Sequence, residues 1–289
     1  MPAVLPGIRC RQIRVADIDG VVNLLTRGMR IRTREFWVHA FRRLTEHSTP
    51  PGFPKYGYLL EHKEAPVGVI LLIFSPIFVD GEVKVRCSVS SWYVDPSFRS
   101  YAAMLAAHAL AHNEVTYFNI TPDPRTLAIL EAQRWMRYSG GRFVAVPALS
   151  PLSSGARIER VARDIRPGED LQAFEAELLL KHADYGCVSL TCSLGDRRYP
   201  FIFLPLRKAG VVRFAYLVYC RHLEDFVRFA GPLGRFLALR GTPLVVFDAN
   251  GAIDRLVGKY LEGSPKYFKG PNRPRLGDWA YSERVMFGY

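Results

Sequence analysis

Residues 92–104 read Trp-Tyr-Val-Asp-Pro-Ser-Phe-Arg-Ser-Tyr-Ala-Ala-Met: an apolar run stops at Asp95-Pro96, one arginine follows, and a helix of small residues opens. The first N–H groups of a helix have no intrahelical partner, and the helix dipole adds partial positive charge there. A diphosphate can rest on such an end where nothing bulky blocks its approach. Ser100 is placed to cap this helix, Ala102 and Ala103 keep its first turn low, and Arg99 adds a forked cation suited to phosphate oxygens. An ordinary turn with a surface arginine would use the same residues, so the stretch by itself leaves both readings open.

Other residues with chemical capacity are sparser. The run 84–94 offers Ser88, Ser90 and Ser91 but no carboxylate, and Ser90 could orient a water. Asn119 closes the run 115–120, where it could hold a carbonyl or a water. His108 and His112 stand four apart on a helix, a spacing that permits shared metal ligation, but no third ligand motif accompanies them and no metal is expected. Five cysteines (10, 87, 187, 192 and 220) show neither disulfide nor metal spacing, which fits a reducing cytoplasm.

These residues need a scaffold, and hydrophobic periodicity supplies its order. Strand 8–15 leads to a helix that Asp17 can cap, then a second helix at 33–47 ends in Ser-Thr-Pro-Pro-Gly-Phe-Pro. Two strands joined at Lys63-Glu64, the strand 84–94, a helix, the strand 115–120, a helix at 124–138 and a closing strand at 142–149 follow. The result is β-α-α-β-β-β-α-β-α-β, an α+β fold with a mixed central sheet and flanking helices. Residues 150–157 read as a linker, and beyond it the order recurs at offsets of about 125–132 residues: strands at 188–207, a strand at 211–220, a helix at 225–240 and a strand at 243–249. Domains are therefore expected at 1–149 and 157–289, two copies of one fold, with 281–289 as the last strand of the second.

Val94-Asp95-Pro96-Ser97-Phe98-Arg99-Ser100-Tyr101-Ala102-Ala103-Met104 resembles the signature of the GNAT acyltransferase superfamily. There a strand ends at an apolar residue and proline, and Arg/Gln-x-x-Gly-x-Gly/Ala opens the helix. The arginine and its spacing match, while Ala102 and Met104 replace the two glycines and narrow the backbone approach. The start at 8–15, the paired early helices and the strand order are also similar, and Arg134-Trp135 stands where the family has a Gly-Phe-like pair. The resemblance covers residues 8 to about 148. It implies acetyl-CoA or another acyl-CoA held between strands 84–94 and 115–120, through Trp92, Tyr93, Val94 and the turn Arg99–Met104. The tyrosine that the family often uses as an acid falls on Leu130. Tyr138, Ser90 and Asn119 are the remaining candidates for the chemistry. In the second copy Leu223-Glu224-Asp225 replaces Ser97-Phe98-Arg99, and two carboxylates would repel phosphate, so only the first copy is expected to bind coenzyme A.

The net charge of +12 divides evenly, with 18 Lys/Arg against 12 Asp/Glu in residues 1–150 and 21 against 15 beyond, so there is no basic tail. Its densest cluster, Arg27 to Arg43, lies where the resemblance puts the acceptor, and this suits a small or glycan-linked acceptor that is anionic. The longest apolar stretch, 67–79, is too short to span a bilayer, and the opening residues show no signal peptide. Two alternatives stand beside acyl transfer to an amine or hydroxyl. One is aminoacyl or long-chain acyl transfer by a double-domain member of the superfamily. The other is a catalytically silent relative that binds nucleic acid or a protein partner, a reading the missing acid and base support.

Overall fold

The structure is a computed structural model; it describes residues 7–288 except Asp80, Leu152, Ser154 and 209–211. The chain forms two compact units that exchange segments. The first comprises the chain up to Met136 with Tyr267–Arg273 and Tyr281–Gly288; the second comprises Arg137–Lys266 with Pro274–Ala280.

In the first unit β1 (Ile8–Gln12) leads to α1 (Ile18–Gly28) and α2 (Arg34–Glu46). Then come β2 (Gly57–His62), β3 (Ala65–Val79), β4 (Glu82–Val94), α3 (Ala102–Ala109), β5 (Thr116–Asn119) and α4 (Leu127–Ala132). Strands β1 to β4 pair antiparallel in order, and β5 joins β4 in parallel. Lys63 and Glu64, both with positive φ, make the two-residue turn whose twist matches that of β2 and β3. Strand β3 is apolar on both faces because both are covered. Ile70, Leu72 and Phe74 join Leu105 and Ala109 of α3 in one core, while α1 packs on the other face and buries Val21, Val22, Leu24 and Leu25. Asp17 does not cap α1 as expected: its carboxylate accepts from Arg11 at 2.6 Å and from the Arg14 N–H at 2.7 Å.

The second unit repeats this pairing pattern. After β6 (Met136–Ala145) come β7 (Arg157–Arg160), α5 (Ala173–Asp184), β8 (Val188–Leu194), β9 (Arg197–Lys208) and β10 (Val212–Cys220). Helices α6 (Leu223–Arg228) and α7 (Ala230–Ala238) precede β11 (Leu244–Ala249), β12 (Gly258–Lys269) and α8 (Glu283–Phe287). Strands β7 to β10 pair antiparallel and β11 joins β10 in parallel, as β5 joins β4.

The sixth strand of each pattern comes from the other half of the sequence. Strand β6 pairs antiparallel with β11, and Tyr267–Lys269 at the end of β12 pair antiparallel with Tyr117–Asn119 of β5. The compact units therefore do not coincide with residues 1–149 and 157–289. Helix α4 also stops at Ala132, so Met136 and Tyr138 enter a strand rather than a longer helix. Residues 281–288 form no final strand; they carry α8 into the first unit.

Inside the second unit Glu175 has a side chain only 1% exposed. It accepts from Arg221 Nε at 2.9 Å and Nη2 at 2.6 Å, and from the Tyr219 hydroxyl at 3.3 Å. Arg221→Leu leaves that carboxylate buried without its cation. The variant is expected to lose about 3–5 kcal/mol of stability, measured by urea unfolding.

Candidate active site

The candidate site is built where β4 leaves β5. The two strands pair only from Arg86–Thr116 to Ser88–Phe118. Two residues later β4 carries a bulge: Leu71 faces Ser90, Val69 faces Tyr93, and Ser91 takes φ +50° to fit the extra residue. From Val89 to Val94 the edge of β4 away from β3 has no strand partner among the described residues.

The end of β4 is fixed by an anchored carboxylate. Asp95 accepts from the Tyr93 hydroxyl at 3.0 Å and from Arg27 at 2.9 Å, and its own N–H donates to the Val67 carbonyl at 2.8 Å. Burial, then the Asp95 bond, push the Tyr93 hydroxyl above its ordinary pKa, so it remains a donor. The Tyr93 ring lies flat over Gly28, where any side chain would collide with it. The last turn of α1 is thereby locked to the strand end.

Beyond Asp95 a 3-10 turn, Pro96–Tyr101, runs straight into α3. Ser100 sits inside it and caps nothing; Asp95 holds the N-cap position without a side-chain bond. The Phe98 N–H is taken by the Asp95 carbonyl and the Ala102 N–H by that of Arg99. The turn thus offers fewer free N–H groups than an α-helix start, which shifts the work of holding an anion toward side chains. Arg99, Ser100 and Ala103 are exposed, whereas Tyr101 is buried in the core under α3 and Met104, Ala102 and Trp92 pack against it. An open strand edge, an exposed arginine and a low alanine rim suit a phosphate-tailed, amide-containing chain.

The structure also brings in a residue that local patterns did not reveal. Glu283, at the first turn of α8 and 8% exposed, accepts from Ser88 Oγ at 2.8 Å and from Thr121 Oγ1 at 2.6 Å. Ser88 belongs to the last β4–β5 pair, so this carboxylate sits at the fork of the parting strands. Phe287 meets Phe36 of α2 edge-on, and the Tyr281 ring lies 5.1 Å from that of His47, whose Nε2 donates to the Phe74 carbonyl at 2.7 Å.

Of the expected residues, Ser90 is buried on β4 with its hydroxyl 3.0 Å from that of Ser91. Asn119 Oδ1 accepts from the Thr121 N–H at 3.0 Å, which closes the turn after β5. Leu130 is buried, and Tyr138 lies on β6 in the second unit. The Arg27–Arg43 cluster is largely engaged: Arg27 with Asp95, Arg34 with Asp19 at 2.5 Å, Arg42 with His39, and Arg32 over the Phe36 ring. Among the described residues no group of three or more His, Cys, Asp or Glu could hold a metal, and no helix is long and apolar enough to cross a membrane.

No protein-family model and no curated protein matches the sequence. Solved structures do match most of the chain. The GCN5-related N-acetyltransferase of Anabaena variabilis superposes with a TM-score of 0.58 at 10% identity, over 90% of this chain and 72% of its own. That of Kribbella flavida gives 0.56 at 12%, over 90% and 70%. The chain has the GNAT fold. Eis1 of Mycobacterium abscessus aligns over 94% of this chain and 74% of its own, with a TM-score of 0.52 at 13% identity. At these identities the likeness establishes the GNAT fold alone, and the chemistry has to be argued from the residues above.

Gly28→Val is expected to cost about 1–3 kcal/mol in urea unfolding, because the Tyr93 ring must move. The same change in a Tyr93→Ala background should cost much less, a coupling that a double-mutant cycle reads directly.

Proposed function

We propose that this GNAT-fold protein transfers an acyl group from an acyl-CoA, acetyl-CoA or a longer one, to an amine or hydroxyl of a small or glycan-linked acceptor. The observation that carries this reading is the bulged, unpaired edge of β4 running down to the exposed Arg99. Residues Trp92–Val94 would hold the pantetheine arm by backbone bonds, and Arg99, Ser100 and the rim at Ala102–Ala103 would hold the phosphates. The bound thioester supplies an activated acyl group. The protein's part is to set the acceptor beside it and to manage one proton.

For the proton, Glu283 is the best-placed carboxylate. It lies at the fork of β4 and β5, and both of its oxygens are oriented by hydroxyl donors. It would take the role that β4 itself leaves empty. Ser90 and Asn119 flank the same opening and would position the acyl carbonyl or a water. Exposed Arg30, three residues beyond Arg27 in the chain, would favour an anionic acceptor.

Calorimetric titration with coenzyme A and acetyl-CoA tests this reading. The wild type is expected to bind in the micromolar range, and Arg99→Glu to weaken binding by roughly tenfold or more, equivalent to about 1.4 kcal/mol. A folded wild type that binds neither ligand would sink acyl-CoA transfer and favour a silent binding protein. Once an acceptor is found, Glu283→Gln should leave coenzyme A affinity nearly unchanged while lowering transfer about 10²–10⁴-fold.

A further inference from the structure

The second unit contains the same fork as the first, and the chain fills it. Strand β10 pairs with β11 only from Phe214–Leu244 to Tyr216–Val246. A bulge follows at once, with Val218 as the extra residue between the Leu217–Phe203 and Tyr219–Ile202 pairs. At the matching place β4 keeps an edge without a strand partner among the described residues. On β10 residues Pro274–Ala280 lie along it instead. The Cys220 N–H donates to the Gly277 carbonyl at 3.0 Å, the Trp279 N–H donates to the carbonyl of bulged Val218 at 2.6 Å, and Tyr219 bridges antiparallel to Asp278.

Side chains secure the segment on both strands of the fork. Trp279, 1% exposed, donates from Nε1 to Asp248 Oδ2 of β11 at 2.6 Å, and its ring packs tilted against the Tyr216 ring of β10, centroids 4.9 Å apart. Arg275 bonds the Arg221 carbonyl and also Asp278 at 3.1 Å. Gly277 has φ +78°, and a Cβ there would stand 2.8 Å from Cys220 Sγ, so the segment fits this edge only with glycine at that position.

We propose that the fork between β10 and β11 is a binding cleft for an extended peptide, permanently occupied in cis by Pro274–Ala280. Two extended amide chains cannot share the Cys220 N–H and the Val218 carbonyl, so a pantetheine arm has no place on this strand. Glu224 and Asp225 in the first turn of α6 also turn away phosphate. The second unit has therefore become a clasp. It grips the chain immediately before Tyr281–Gly288, the segment that delivers Glu283 to the first unit. The clasp stands on geometry within the second unit and does not depend on acyl transfer by the first.

Hydrogen exchange on the intact protein and peptide binding in trans test the clasp. In the wild type the amides of Cys220 and Trp279 are expected to exchange as slowly as those of the core strands. A fluorescent peptide of residues 274–281 should not bind the wild type. It should bind Gly277→Val, whose own segment is dislodged, at concentrations roughly tenfold or more below the highest at which the wild type shows no binding. Trp279→Ala serves as a second opening variant, with circular dichroism to confirm folding. Rapid exchange at Cys220 and Trp279 in the wild type would overturn the proposal. So would folded variants whose released segment exchanges freely while the cleft takes no peptide. Exchange in the wild type decides the matter even where both variants fail to fold.

Discussion

A bulge that lifts a strand out of its pairing leaves backbone N–H and C=O groups that must find a partner, and the two units meet that demand differently. An unpaired polar group buried away from water costs as much as a lost hydrogen bond. In the second unit the demand is met by Pro274–Ala280 against Val218 and Cys220. In the first, the edge from Val89 to Val94 has no strand partner among the described residues and stands above the Arg99 turn. One fork is closed by the chain itself, and the other has an edge with no strand partner among the described residues.

The polar interior follows the same division. Glu175 is clamped by Arg221 and Tyr219 and is spent on holding the second unit together. Glu283 meets only neutral hydroxyls, from Ser88 and Thr121, among its described partners. Its oxygens are oriented by hydroxyl donors rather than held in an ion pair. Glu175 is instead fixed by two nitrogens of a guanidinium fork.

Much of the scaffold was legible in local patterns. The apolar run of β3, the Lys63-Glu64 turn, the Asp95-Pro96 stop and the recurring strand order all lie within short windows of sequence. What pattern reading missed depends on partners far apart in the chain. Thr33 caps α2 as local chemistry suggests, with its hydroxyl accepting from the Phe36 N–H at 3.4 Å. Ser100 does not cap α3, because the 3-10 turn begins four residues earlier at Pro96. The sixth strands look alike to periodicity, since β6 and β12 carry no mark of which sheet they complete. The run from Tyr281 onward reads as a last strand but holds α8, and the residues just before it, Gly277 and Trp279, bond the far edge of β10. Glu283 was hidden for the same reason: Ser88 and Glu283 are 195 residues apart. A tail carboxylate is invisible to any search for a carboxylate on β4.

The difference between the two forks can be measured in one experiment: hydrogen exchange by mass spectrometry with and without saturating coenzyme A. Added protection is expected at 89–104, along the open edge of β4 and the Arg99 turn, with no change at 216–228 or 274–280. Protection appearing equally at 216–228, or nowhere in the chain, would contradict the assignment of one open fork and one closed one.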